Sequence, residues 1–164
     1  MAGVEQNPGP AQESRIRQLY VGLINAQSIV HKAALIHDVI KDNSLDLLAV
    51  TETWVYNHSP DVHKQEAVPA GYSIVHAHRQ PSPGSDEVRE GGVAIIHREE
   101  IHMKLVPINL DSTKSFELLL VKLVNVKPSL SLAVIYRPQR ESRGKHFSVS
   151  DFTSELADLL DVGC

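Results

Sequence analysis

Leu19-Tyr20-Val21-Gly22-Leu23-Ile24-Asn25, then Ile29, Ala33, Ile36 and Ile40, then Leu47-Leu48-Ala49-Val50, is the stretch whose reading decides the fold. The first run is short, apolar and β-prone. From Ile29 the apolar residues return at offsets of 4, 7 and 11, which traces one face of a helix, and Ser28 stands where an N-cap belongs. Lys41-Asp42-Asn43-Ser44 stops that helix. The run at Leu47 is apolar without alternation, as suits a strand covered on both faces. Together these predict a strand-helix-strand unit with parallel strands.

Farther along, the runs 72–78, 93–97, 101–106, 116–124 and 130–136 are strand-like and have no helical pattern between them, so antiparallel pairing is expected. Residues 57–71 and 79–90, the latter with Pro81, Pro83 and Gly84, read as loops. Phe152, Leu156, Leu159 and Leu160 recur at helical spacing, and Ser148 with Asp151 has capping-box spacing ahead of them. The fold class predicted is α/β, with a mixed sheet. Before Leu19, residues 1–17 are polar, aperiodic and broken by Pro8, Gly9 and Pro10, and read as a flexible leader; 18–164 is the domain.

The chain has 164 residues, 42% of them hydrophobic and 22% charged, which suits a single soluble domain with a real core. Its net charge of −4 excludes nucleic-acid binding by bulk charge, so any such role rests on a local site. No apolar run nears the roughly 20 residues that cross a bilayer, and the first residues are unlike a secretory signal. The single cysteine, Cys164, cannot form an internal disulfide. An intracellular protein, nuclear or cytoplasmic, with no membrane partner is therefore expected.

In open α/β sheets the functional groups gather beyond the carboxyl ends of the strands. Here the first strand ends at Asn25 and the second at Thr51-Glu52-Thr53, so two adjacent parallel strands place an amide beside a carboxylate. A carboxylate and an amide oxygen suit a hard divalent cation such as Mg²⁺; the plainer reading is a turn cap and a solvated loop charge. His76 and His78 share one strand face, but no cysteine joins them and the other histidines are scattered, so they read as surface residues. Gly22 to Gln27 lacks a Gly-x-Gly-x-x-Gly turn, which disfavours a dinucleotide-binding domain.

Four ordered blocks carry a more specific signal. Residues 23–32 (Leu-Ile-Asn-Ala-Gln-Ser-Ile-Val-His-Lys), 45–54 (Leu-Asp-Leu-Leu-Ala-Val-Thr-Glu-Thr-Trp), 91–95 (Gly-Gly-Val-Ala-Ile) and 135–138 (Ile-Tyr-Arg-Pro) resemble successive blocks of the endonuclease domain of LINE-type (non-LTR) retrotransposons, within the endonuclease/exonuclease/phosphatase superfamily. The resemblance implies a layered α/β sandwich of two sheets with helices outside, represented in this chain mostly by one sheet. It implies Mg²⁺-assisted hydrolysis of DNA phosphodiesters in intact relatives, with Asn25 and Tyr136 as catalytic residues and Glu52 as metal ligand. Arg137, Arg140, Arg143 and Lys145 follow Tyr136 as a basic loop suited to DNA phosphates. Gln27 stands where such elements often have arginine, and Gly91-Gly92 reads as a tight structural lead into a strand.

Two blocks of that family are missing from this sequence, the Gly-Asp-Phe-Asn strand and the Ser-Asp-His segment with the general base; Asp151-Phe152-Thr153 lies within the expected helix, and His37-Asp38 is reversed. The chain therefore reads as about the N-terminal half of the domain, inactive by itself. The alternative is a non-catalytic fragment that binds nucleic acid or protein. A sandwich lacking its partner sheet is expected to expose the inner face of 116–124 and to self-associate through exposed sheet surface. Gly3-Val4-Glu5-Gln6-Asn7-Pro8-Gly9-Pro10 resembles the end of a ribosome-skipping peptide, without the apolar stretch that precedes it, and reads as a relic.

Overall fold

The computed structural model describes residues 18–56, 59–78, 91–108, 115–126, 128–138 and 148–162. The leader, the 79–90 loop, and Arg140, Arg143 and Lys145 of the basic loop lie outside them. In chain order the elements are β1 (Val21–Asn25), α1 (Ala33–Asp42), β2 (Leu47–Thr51), α2 (Val62–Glu66), β3 (Tyr72–Ala77), β4 (Val93–Arg98), β5 (Met103–Leu105), β6 (Glu117–Leu123), β7 (Leu130–Tyr136) and α3 (Val149–Val162). One sheet of four strands runs β1-β2-β4-β3 and a second of three runs β5-β6-β7. β1 and β2 are parallel, in the register Val21 to Leu47 through Asn25 to Thr51, and every other pairing is antiparallel.

All five residues of β2 are buried because both of its faces are covered. Leu48 and Val50 point with Ala94 and Ile96 of β4 into a core roofed by Ile36 and Ile40 of α1. Leu47 and Ala49 point the other way, with Val93 and Ile95, against Leu119, Val121, Leu123 and Val134 of the second sheet. The unbroken apolar run of β2 thus has a layer on each side. Gly22 lets Leu45, in the turn between α1 and β2, and Leu48 of β2 close in: a Cβ there would lie 2.6 Å from a Leu45 methyl and 3.2 Å from one of Leu48.

Four expectations are corrected. The chain holds two packed sheets rather than mostly one, so the inner face of β6 is covered, with Leu119, Val121 and Leu123 no more than 2% exposed. The first helix starts at Ala33 with Lys32 as N-cap, not at Ser28. Residues 26–29 instead run beside 51–53, where Ala26, Ser28 and Ile29 donate to the carbonyls of Thr51, Glu52 and Thr53 at 2.8 to 3.0 Å in an irregular ladder. Ser28 Oγ only closes a local turn, accepting from Val30 N–H at 3.2 Å. Residues 57–71 hold the short helix α2, too brief for a periodic signal. The strand expected over 101–106 shortens to β5, and Ile101 is a buried plug ahead of it.

At the other end, Ser148 Oγ accepts from Asp151 N–H at 3.0 Å, while the Asp151 carboxylate accepts from Ser148 N–H at 2.7 Å, the reciprocal bonds of a capping box. α3 then lies on the second sheet, Phe152 edge-on to Phe116 at 5.4 Å and Glu155 accepting from Ser115 N–H at 2.9 Å. Among the described residues no helix is long and apolar enough to cross a membrane.

Candidate active site

β1, β2 and β7 end at one corner of the sandwich, and each brings one polar side chain there. The parallel register sets Asn25 beside Thr51, so the next residue of the second strand, Glu52, turns its carboxylate to the amide: Asn25 Nδ2 donates to Glu52 Oε1 at 2.9 Å. From across the sandwich the hydroxyl of Tyr136, last residue of β7, donates to the same Oε1. Among the described residues no hydrogen bond engages Glu52 Oε2. The amide is oriented in turn, because Asn25 Oδ1 accepts from Gln27 N–H at 3.2 Å.

Backbone strain concentrates in the two loops that make this corner. Of six non-glycine residues with positive φ among the described residues, five lie there: Gln27 (45°), Ser28 (83°), His31 (61°), Glu52 (54°) and Trp54 (54°). Such conformations cost on the order of 1–3 kcal/mol each and persist only where the surroundings hold them. Here the ladder between 26–29 and 51–53 does so, and Lys32 Nζ clamps the first loop by donating to the carbonyls of Ala26 and Gln27 at 2.5 and 2.8 Å.

The glycine pair supports Glu52 from the other side. Thr53 N–H donates to Gly92 O at 3.1 Å and Trp54 N–H to Gly91 O at 2.8 Å. Both glycines have positive φ, 102° and 88°, and a Cβ on Gly92 would lie 2.4 Å from Thr53 Oγ1. Thr53 Oγ1 lies 2.7 Å from His76 Nε2. Burial, with the neighbouring His78 and Lys64 charges, pushes His76 down to about 3, so its ring is neutral at ordinary pH. Glu117 completes the frame, its Oε2 accepting Gly92 N–H at 2.5 Å and so tying the first strand residue of β6 to the lead-in of β4.

No family model matches the sequence, and no curated protein does. Solved structures do match. An AP endonuclease from Archaeoglobus fulgidus superposes with a TM-score of 0.57 at 19% identity, covering 90% of this chain and 52% of that one. A 3′ phosphatase from Neisseria bound to product DNA hairpin superposes with a TM-score of 0.52 at 15% identity, covering 87% and 50%. An AP endonuclease from Leishmania major gives 0.50 at 14%, covering 84% and 44%. The fold is of the endonuclease/exonuclease/phosphatase type. The chain spans about half the length of these solved proteins.

Within this endonuclease/exonuclease/phosphatase-type fold the structure brings together Asn25, Glu52 and Tyr136. The Arg137 guanidinium, next in sequence to Tyr136, lies 6.0 Å from the Phe152 ring centre of α3. Among the described residues no group of three or more His, Cys, Asp or Glu converges as a metal cage, His76 and His78 included; their rings pack edge to face at 4.4 Å. Sequence reasoning missed Thr53 and Glu117. The signal for Glu117 was present, a lone carboxylate leading the apolar run of β6 on its core-facing parity.

Proposed function

We propose that this chain is the N-terminal half of a LINE-type retrotransposon endonuclease domain whose complete form hydrolyses DNA phosphodiesters with Mg²⁺, and that alone it does not cut DNA. The observation that carries the reading is the meeting of Asn25, Glu52 and Tyr136, from three strands, on one carboxylate oxygen. A turn cap and a solvated charge have no need of a third strand.

Glu52 fits a hard cation, since Oε1 is held by two donors and no described hydrogen bond engages Oε2; Mg²⁺ binds through one or two carboxylates and keeps several waters. Bound there, Mg²⁺ would supply neutralisation of phosphate charge and a lowered pKa for its water. Asn25 and Tyr136 keep the carboxylate from rotating, the single hydroxyl proton of Tyr136 being donated to Oε1.

The sequence lacks the Gly-Asp-Phe-Asn and Ser-Asp-His residues that would orient and deprotonate water. General acid–base help is worth roughly 10²–10⁴-fold and a lost transition-state donor a further 10²–10³-fold, so little should remain. In a supercoiled-plasmid assay with Mg²⁺, wild type and Glu52→Gln are expected to give equal background. Nicking that Glu52→Gln abolishes would sink the inactive-half reading and leave the site assignment standing; a Glu52→Gln protein that nicks as fast as an active wild type would sink the assignment.

A further inference from the structure

His76 and His78 read from the sequence as surface residues, yet in the fold both are half-buried and both reach the loop that carries Glu52. β3 is the outer strand of the first sheet. Its residues Tyr72, Ile74 and His76 share one face, on which Tyr72 and Ile74 pack against the core below α1, and His78 keeps that parity just past the strand. His76 Nε2 lies 2.7 Å from Thr53 Oγ1, and His78 Nδ1 lies 3.0 Å from the carbonyl oxygen of Val55. Two rings spaced two residues apart thus tether two loop residues of the same spacing, directly behind Glu52. The rings brace each other edge to face at 4.4 Å.

The partners fix where each ring carries its proton. A carbonyl only accepts, so His78 is protonated on Nδ1. Thr53 Oγ1 donates its one proton to Gly91 O at 3.4 Å, so it accepts from His76 Nε2–H. That tautomer leaves His76 Nδ1 as a buried acceptor without a partner among the described residues, which a fold tolerates better than a buried N–H in the same state. Gly92 makes the room, since a Cβ there would lie 2.4 Å from Thr53 Oγ1 and 3.3 Å from His76 Nε2.

We propose that His76 and His78 are positioning residues for Glu52, which hold its carboxylate, through Thr53 and Val55, in the direction that takes a divalent cation. The proposal rests on the reading of Glu52 as a metal ligand. The loop needs such tethers, because Glu52 and Trp54 both have φ of 54°, a strained conformation for residues with a side chain, and Thr53 between them is fully buried. Its backbone is held by Gly92 O at 3.1 Å and by Ile29 N–H at 3.0 Å; the hydroxyl is its remaining anchor. With that anchor gone the loop relaxes toward ordinary φ and swings the carboxylate away from Asn25 and Tyr136.

Mn²⁺ binding by the full chain tests it, because Mn²⁺ takes the same oxygen ligands as Mg²⁺ and its free form is counted by electron paramagnetic resonance. Wild type is expected to bind and Glu52→Gln not. His76→Leu and His78→Leu, with unchanged far-ultraviolet circular dichroism, should bind roughly 10- to 100-fold more weakly, the usual loss when a group that orients a metal ligand is removed. His76→Gln and His78→Asn put an amide N–H where the ring N–H stood and should recover most of the affinity, which a ring that only packs would not show. Thr53→Val removes the hydroxyl at nearly constant volume and reads the same bond should His76→Leu fail to fold; the two combined should cost no more than either alone. A wild type that binds Mn²⁺ no better than Glu52→Gln overturns the metal reading of Glu52 and this proposal with it. Binding that needs Glu52 but survives His76→Leu, His78→Leu and Thr53→Val, or that falls equally in the leucine and amide variants, overturns the proposal alone.

Discussion

Besides Asn25 and Tyr136, which bond its carboxylate, Glu52 is held in place by residues around the glycine pair. Gly92, with φ of 88° and no room for a Cβ, lets its carbonyl meet Thr53 N–H while its own N–H meets Glu117. Gly92→Ala must adopt a strained φ and push Thr53 Oγ1 aside, which should cost about 2–4 kcal/mol in urea unfolding. A cost under 0.5 kcal/mol would show that the Thr53 side chain yields freely. His76 makes a second prediction. Its pKa falls from 6.5 in the unfolded chain to about 3 in the fold, so between those values the unfolded state binds more protons. Stability is therefore full above about pH 6.5 and declines as pH falls toward 3, by up to about 1.4 kcal/mol per unit. His76→Gln should flatten the slope between pH 6.5 and 4.5; an unchanged slope would assign the acid sensitivity to other groups.

At the scale of elements, α1 and α3 begin by different means. α3 opens on the Ser148 and Asp151 box, whereas α1 opens on Lys32, whose ammonium has no acceptor to offer the first turn and donates instead to the carbonyls of Ala26 and Gln27. α1 is instead ended well: Asn43 Nδ2 donates to Val39 O at 2.9 Å, and Leu45 N–H returns to Ile40 O at 2.9 Å. Ser148→Ala should therefore cost about 1 kcal/mol, read as lost amide-exchange protection in the first turn of α3 with the rest of the chain unchanged. Loss of protection spreading to β2 would mean that α3 is more deeply coupled to the core than its exposed face indicates.

For the whole molecule, the layer between the sheets is the common core. Leu119 at 2% exposure meets residues of both sheets, so Leu119→Ala should cost about 2–5 kcal/mol and lower the midpoint of one cooperative transition. Two separated transitions would mean that the sheets fold apart. Covering the β6 face in this way leaves the exposed core-type residues at the margins of the sheets, Val21 and Leu23 on β1, Leu105 on β5 and Leu130 on β7.

Much of this was legible in the chain itself. Periodicities of 3.6 and 2 placed α1, α3 and the strands, and the unbroken Leu47-Leu48-Ala49-Val50 run marked a strand buried on both faces, because local pattern reflects which faces an element hides. That Asn25 and Glu52 stand together followed from parallel strands joined by one crossover. Only the tertiary structure decided that the second sheet packs on the first, that Tyr136 reaches Glu52 from 84 residues away, that 26–29 extend a ladder instead of starting a helix, and that Glu117 ties the sheets at Gly92. Those are contacts between segments distant in sequence, fixed by which surfaces exclude water together, and no local window of residues contains them.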